Sequence, residues 1–480
     1  MEYFYSAGAR SIDDCKNGRF VASKEGYKQF LVDKIGRVVS DKYYRIEPRP
    51  DGYFTASEGY LSEMLIDANG RVICPECKDV TWFSDDGIAV VTELDGSKCW
   101  LTKGGQKIQT PFSDIGEFSG GFGCVKLDDG KWSYVDRDMN IVDVKFDRTF
   151  GFGDGNFAKV LVGDETFVIN KNFQVVCGPF ESIMWIDEEN GVIASHFKDK
   201  ETGKTMYCYY DLQGNKIGKD YKMIHGFING LSRVQDEKGY TFIDTAGHEI
   251  TDMRFGEAGN FGEHFAWVGG LTADKSDHEY TFMRRDGSLH GTWYPVVGDE
   301  HDGMISIMKG TRSYLMNTKE KIVSKGFKRL GAFSEGIVTF ESSPNKRGYM
   351  TSEFVAFAEE HDRASAFNDG FGVVVDGETY DAVNKYQHRL SELSKLAEII
   401  ESEPTKVIEM AESLGEDFES LYLLCEHALF MLENALASEL YDDVAKAQFA
   451  VQKKQIESLF AKTEKQITKP EANKPSGWEW

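Results

Sequence analysis

No stretch of this chain approaches the ~18 consecutive apolar residues that a membrane-spanning helix needs. Its first residues, Met1-Glu2-Tyr3-Phe4-Tyr5, carry neither the basic region nor the apolar run of a secretory leader. The eight cysteines (15, 74, 77, 99, 124, 177, 208 and 425) lack the regular spacing of a disulfide framework. They are expected as reduced, mostly buried thiols, and the protein is expected in the cytoplasm as an acidic, bacterial-type chain. Positive charge is also short: 55 Lys and Arg against 79 Asp and Glu leave a formal net charge of −24, and no local basic patch is evident. Such a surface repels phosphate backbones, which argues against nucleic acid and for basic or neutral partners. Proline is limited to ten residues, whereas glycine reaches 48 and aromatic residues 13% of the 480 positions. Aromatic and β-branched residues punctuated by glycine predict many short strands joined by tight turns.

A strand ending in a polar residue recurs along the chain. Its end points are Asp33, Asp67, Thr102, Asp136, Asn170, Asp211, Asp244, Arg284, Asn317 and Thr351, spaced 34, 35, 34, 34, 41, 33, 40, 33 and 34 residues apart. Three residues further stands a glycine in six copies (Gly36, Gly70, Gly105, Gly214, Gly247 and Gly287), where a hairpin turn needs positive φ. Six residues after the polar position an apolar residue returns in nine of ten copies, His290 being the exception. Upstream lies a third element, as in Phe118-Ser119-Gly120-Gly121, Phe333-Ser334-Glu335-Gly336 and Phe367-Asn368-Asp369-Gly370. Each unit is therefore read as a turn and three short strands in roughly 35 residues, about eleven units in all. A propeller blade needs four strands and ~40–50 residues, so a superhelical stack of hairpin units fits better, with a closed propeller-like ring as the alternative.

The pattern resembles the WG-repeat family over about residues 1–384. The nearest copies are Asp129-Gly130-Lys131-Trp132-Ser133-Tyr134-Val135-Asp136, with Ser133 where the family has glycine, and Lys238-Gly239-Tyr240-Thr241-Phe242-Ile243-Asp244. The resemblance implies a binding or scaffolding module.

From Asp381 the period changes to a helical one. Leu390, Leu393, Leu396, Ala397 and Ile400 share one helical face, Pro404 marks a second start, and Phe418 to Leu436 make a longer helix. Leu440, Val444, Ala447, Val451 and Leu459 are read as the core face of a last one. The expected organisation is a β-repeat array over 1–380, a helical bundle or cap over 381–467, and a disordered tail over 468–480 in which Trp478 and Trp480 offer a docking motif. The bundle is expected to cover the end of the array or to oligomerise it.

Candidate chemistry is sparse. Cys74-Pro75-Glu76-Cys77 has CxxC spacing but no second pair to complete a zinc site. Gly151-Phe152-Gly153-Asp154-Gly155 leads into a strand, not the helix that a phosphate loop opens. His301-Asp302-Gly303, Asp85-Asp86 and Asp128-Asp129 fall in turns, where carboxylates are turn formers. No catalytic, cofactor-binding or metal-ligating residue is assigned, and no cofactor is implied. The two long spacings come from charged insertions, His196 to Met206 and Gly269 to Glu279, in one slot of the unit, and Glu341 to Arg347 falls in a comparable slot. Such loops line one face of a repeat array. The leading expectation is a non-enzymatic protein- or peptide-binding scaffold. The second is a carbohydrate-binding array using Trp82, Trp185, Trp267 and Trp293 as platforms.

Overall fold

The computed structural model describes residues 2–467 except 6–8, 25–27, 60–61, 154, 271–278 and 439. The tail over 468–480 and its two tryptophans lie outside the described residues. Eleven small antiparallel sheets follow one another along the chain, and four helices come last.

The polar residue that ends the recurring strand is explained by the turn after it. Asp33 Oδ1 accepts from the backbone N–H of Ile35 and Arg37 at 3.1 and 2.8 Å. The same pair of bonds, to the second and fourth residues on, forms at Asp67, Asp136, Asn170, Asp211, Asp244, Asn317 and Asn384. A short carboxylate or amide thus satisfies two backbone donors that a tight turn would otherwise leave unpaired. The residue three further on takes positive φ in every unit, including those without glycine there: Met139, Phe173, Glu320, Phe354 and Gln387. Gln387 is exposed with φ at 71°. Gln387→Gly is therefore expected to stabilise the protein by about 0.5–1 kcal/mol, read as a raised urea midpoint; a lowered one would contradict the assignment of strain.

Five sheets have four strands and six have three. A fourth strand, beyond the three expected, opens each unit, as Arg45–Pro48 and Ile183–Asp187 do, and the expected returning segment follows the turn. In five of the three-stranded sheets it is held by two isolated bridges, as in Gln29↔Tyr43 with Val32↔Val38 and Ser313↔Phe327 with Met316↔Ile322. This segment ends on one slot filled by Tyr43, Cys77, Phe180, Tyr221, Phe255, Tyr294, Phe327 and His361, all buried, and by the partly buried Phe146. It bulges as it returns, so its ladder is broken.

Consecutive units pack face to face, each pair enclosing its own apolar cluster. The stack expected from the sequence is present sheet on sheet, and its two ends meet. Phe20 of the first unit lies edge-on to Phe371 of the eleventh, with ring centroids 5.3 Å apart. Gly121 N donates to Asp86 Oδ2 of the unit before it at 2.7 Å, Gly336 N to Asp302 Oδ2 at 2.9 Å, and Gly370 N to Glu335 Oε2 at 2.8 Å. Gly18 N donates in the same way to Asp369 Oδ2 at 2.6 Å, across 351 residues of chain. The first unit therefore sits on the eleventh as other units sit on their predecessors, and the array closes.

The helices complete that junction. Helix α1 (Leu390–Ser402) starts where the returning segment of unit eleven would run, and only the bridge Val383↔Arg389 remains of that segment. The turn glycines elsewhere press on the preceding unit: a Cβ on Gly70 would lie 2.2 Å from Val39 O and one on Gly287 1.9 Å from Ile250 O. On Gly36 it would lie 2.4 Å from Ser394 Cβ, so α1 stands in for a twelfth neighbour. Helices α2 (Lys406–Leu414), α3 (Phe418–Ala437) and α4 (Asp443–Ile467) pack behind it. One continuous core joins Phe4, Phe20 and Phe30 to Phe371, Leu393 and Leu424. For α4 the expected core face is corrected: Leu440 lies before the helix and is 91% exposed, and Val444 and Val451 face solvent. Ile456 is buried instead, and Phe460 stacks on Tyr422 of α3 at 4.5 Å. Helix α4 is covered along one narrow seam, so its many scattered apolar residues mislead a periodicity reading.

Candidate functional site

The titratable and sulfur groups singled out in the sequence are consumed by architecture. Cys74 and Cys77 both point into the core because the strand Val72–Cys77 bulges between them. Cys77 fills the slot that is Tyr, Phe or His in other units, and its Sγ lies 3.4 Å from Glu63 O. The neighbouring Cys74 sulfur, with burial second, pushes the Cys77 thiol far up. Burial likewise raises Cys99 to about 11 and Cys425 to about 12. All eight cysteines are free and buried. The native protein is expected to leave a disulfide-exchange reagent unreacted for minutes and to titrate all eight thiols only in denaturant, since buried thiols are inert.

Asp86 and Asp302 accept the unit-to-unit bonds described above, and Asp86 also pairs with Arg137. Asp129 caps the Lys131 N–H and pairs with Lys145 at 2.5 Å. In the glycine run, Asp154 lies outside the described residues, and Gly153 N donates to Ser119 Oγ of the preceding unit at 3.0 Å. Among the described residues, no cluster of His, Cys, Asp or Glu takes a metal-holding arrangement, and no helix is long and apolar enough to cross a membrane.

Of the four tryptophans outside the repeat phase, only Trp82 is largely exposed, at 64%. Trp267 Nε1 donates to Asp299 Oδ1 at 2.8 Å and its ring meets Tyr280 edge-on. Trp185 packs against the core between the sixth and seventh units. Of the inserted loops, 199–204 is a charged hairpin tip held by Asp199, whose carboxylate accepts from Thr202 N and Oγ1. The second insertion falls on 271–278, outside the described residues.

Two hollows remain. One, of about 490 Å³, lies at the closure, between Asp13, Asp14 and Arg19 of the first unit and Arg363 and Tyr380 of the eleventh. Burial and Asp14 hold the Asp13 carboxyl above the usual range. The other, of about 720 Å³, is a cleft between the ninth and tenth units. Here the reading of an unrelieved acidic surface is corrected. Residues 309–347 carry nine Lys and Arg against three Glu, and Arg312, Lys325 and Lys328 line the cleft. A running local charge count reveals this tract, whereas the whole-chain sum hides it.

Residues 240–269 match the family described as WG containing repeat, on the unit that holds Tyr240, Phe242 and Phe255. The match is to a single copy and bears out the resemblance there. No curated protein sequence matches the chain. Among solved structures it is similar to BamB from Moraxella catarrhalis, at 11% identity and a TM-score of 0.23 over 66% of this chain and 95% of that one. It is also similar to the WD40 β-propeller domain of Doa1, at 11% identity and a TM-score of 0.25 over 48% of this chain and 89% of that one. At such TM-scores neither likeness carries an argument, and the description as a repeat β scaffold rests on the chain's own sheets.

Proposed function

We propose that this protein is a non-enzymatic scaffold that holds protein or peptide partners on the loops and clefts of its closed array. The observation that carries this is the use to which polar side chains are put. Carboxylates such as Asp86, Asp302, Glu335 and Asp369 bind the next unit's turn, so the array is a stiff frame whose variable parts are loops and inter-unit clefts. A stiff frame with variable loops binds without losing conformational entropy of its own. In this reading the β units, whose last strand runs Thr379–Asn384, are the frame, and the helices from Leu390 to Ile467 form a bundle that closes it. Eight free buried thiols support a reducing, cytoplasmic setting.

The test uses the full chain, immobilised in native form and exposed to lysate from its source, followed by reconstitution of any captured species from pure components. A stoichiometric complex that co-elutes in gel filtration is the expected result. A chain that captures nothing reproducible, or that turns over a small molecule in an activity screen, overturns the reading. A carbohydrate platform is the second reading, supported by the exposed ring of Trp82. Unchanged tryptophan fluorescence across a glycan panel would remove it.

A further inference from the structure

The cleft between the ninth and tenth units is the place where this molecule departs furthest from its own average. The chain as a whole carries −24, yet the tract that builds the cleft is basic. Lys325 and Lys328 stand exposed on the returning segment of the ninth unit, and Arg312 beside them donates from Nη1 to Gly326 O at 3.0 Å. Among the described residues neither Lys325 nor Arg312 makes an ion pair. Lys325 instead lies 5.4 Å from the centre of the Phe327 ring. Two acids share the cleft. Glu341 is already neutralised, by Lys328 Nζ at 2.7 Å and Arg329 Nε at 3.8 Å, and Glu359 stands on the far wall.

The floor is apolar. Phe340 and Met350 reach the cleft from the tenth unit's core, and Phe354 is 39% exposed in the turn above them. A ring of that size left in water next to uncompensated cations is matched by an apolar side chain flanked by carboxylates. We infer that this cleft binds an acidic protein segment, seating an apolar side chain against the exposed Phe354 ring while Lys325 and Arg312 take its carboxylates. A nucleic-acid strand meets the same cations, but the acidic remainder of the surface repels a continuous phosphate backbone. The inference rests on the scaffold reading and gives it a partner chemistry.

The test is fluorescence anisotropy of the intact protein with a labelled synthetic peptide in which Glu alternates with Leu. Saturable binding is expected, weakening several-fold as salt rises from about 0.05 to about 0.5 M. The double variant Arg312→Glu, Lys325→Glu is expected to bind at least ~10-fold more weakly while keeping its melting temperature. Lys200→Glu with Lys204→Glu, which makes the same charge change on the exposed tip of another loop, is expected to bind as the parent does. Three results overturn the inference: no saturable binding below about 1 mM, equal affinity for a Lys/Leu peptide, or tighter binding of an oligothymidylate. If the peptide fails while a captured protein still binds the frame, the cleft assignment falls and the scaffold reading stands.

Discussion

Gly36→Ala is expected to destabilise the protein by about 2–4 kcal/mol, well beyond the ~1 kcal/mol expected of Gly52→Ala. Both glycines have positive φ, 79° and 85°, so the backbone cost of a Cβ is common to them. They differ in what the Cβ meets. At Gly52 nothing lies within 4 Å, whereas at Gly36 Ser394 Cβ is 2.4 Å away and Ser394 Oγ 2.8 Å. Ser394 is buried in α1 and donates from Oγ to Gly36 O at 3.2 Å, so it cannot turn aside without losing that bond. The added methyl group must push α1 off the first unit. Chemical denaturation of the two variants gives the comparison, and hydrogen exchange locates the effect. Faster exchange is expected in both the first and the eleventh units, because one core spans them. Equal losses for the two variants would show that α1 is not seated on the turn. Adding Ser394→Gly to Gly36→Ala is expected to recover part of the loss.

Acidification from pH 7.5 to pH 4 is expected to remove about 3 kcal/mol of stability through His427 alone. This imidazole is fully buried in α3. Arg37 Nη1 approaches its Nδ1 at 3.1 Å and Tyr3 Oη its Nε2 at 3.3 Å. Arg37 is in turn held by Asp33 Oδ2 at 2.6 Å, and Tyr3 Oη donates to Glu401 Oε2 at 2.8 Å. Burial, with the Arg37 cation second, pulls His427 down from 6.5 to about 4; Asp33 and Glu401 oppose it. Between those values the unfolded chain binds a proton that the folded chain refuses, so this contribution is complete above about 6.5 and is lost as the pH falls toward 4. His225, also depressed by burial and Arg233, adds to the slope. Asp381, whose carboxyl is held up by burial, works against it in the carboxylate range. Urea midpoints at pH 7.5, 5.5 and 4.5 measure the slope. His427→Gln is expected to be less stable at pH 7.5 and to lose less on acidification. A slope unchanged by that substitution would place the acid sensitivity elsewhere.

What the sequence discloses is what is local. The Asp or Asn that ends most of the strands, and the glycine that most often stands three residues on, act within one turn, so their chemistry is readable from spacing. The strand that opens each unit is not, because it is as short as two residues, as at Asp79–Val80 and Arg363–Ala364, and the slot that ends the returning segment accepts Tyr, Phe, Cys or His alike. That slot explains Cys77 better than its spacing from Cys74 does. Closure is not legible either, since Gly18 and Asp369 show nothing in sequence that sets their bond apart from an internal one. Val444 and Val451 keep helical spacing while facing water, so periodicity does not disclose the exposed side of α4. The basic cleft was within reach of the sequence, since nine cations in 309–347 need only a local count.

An open array grows or shrinks by duplicating a segment, and each extra copy simply adds length. Once Asp369 must reach Gly18 and α1 must land on Gly36, that freedom ends. A gene duplication of one unit would have to change the bend at every junction by a small equal amount, or else open the seam. The number of units is thereby fixed by geometry, while hairpin tips that take no part in a junction, such as 199–204, stay free to diverge.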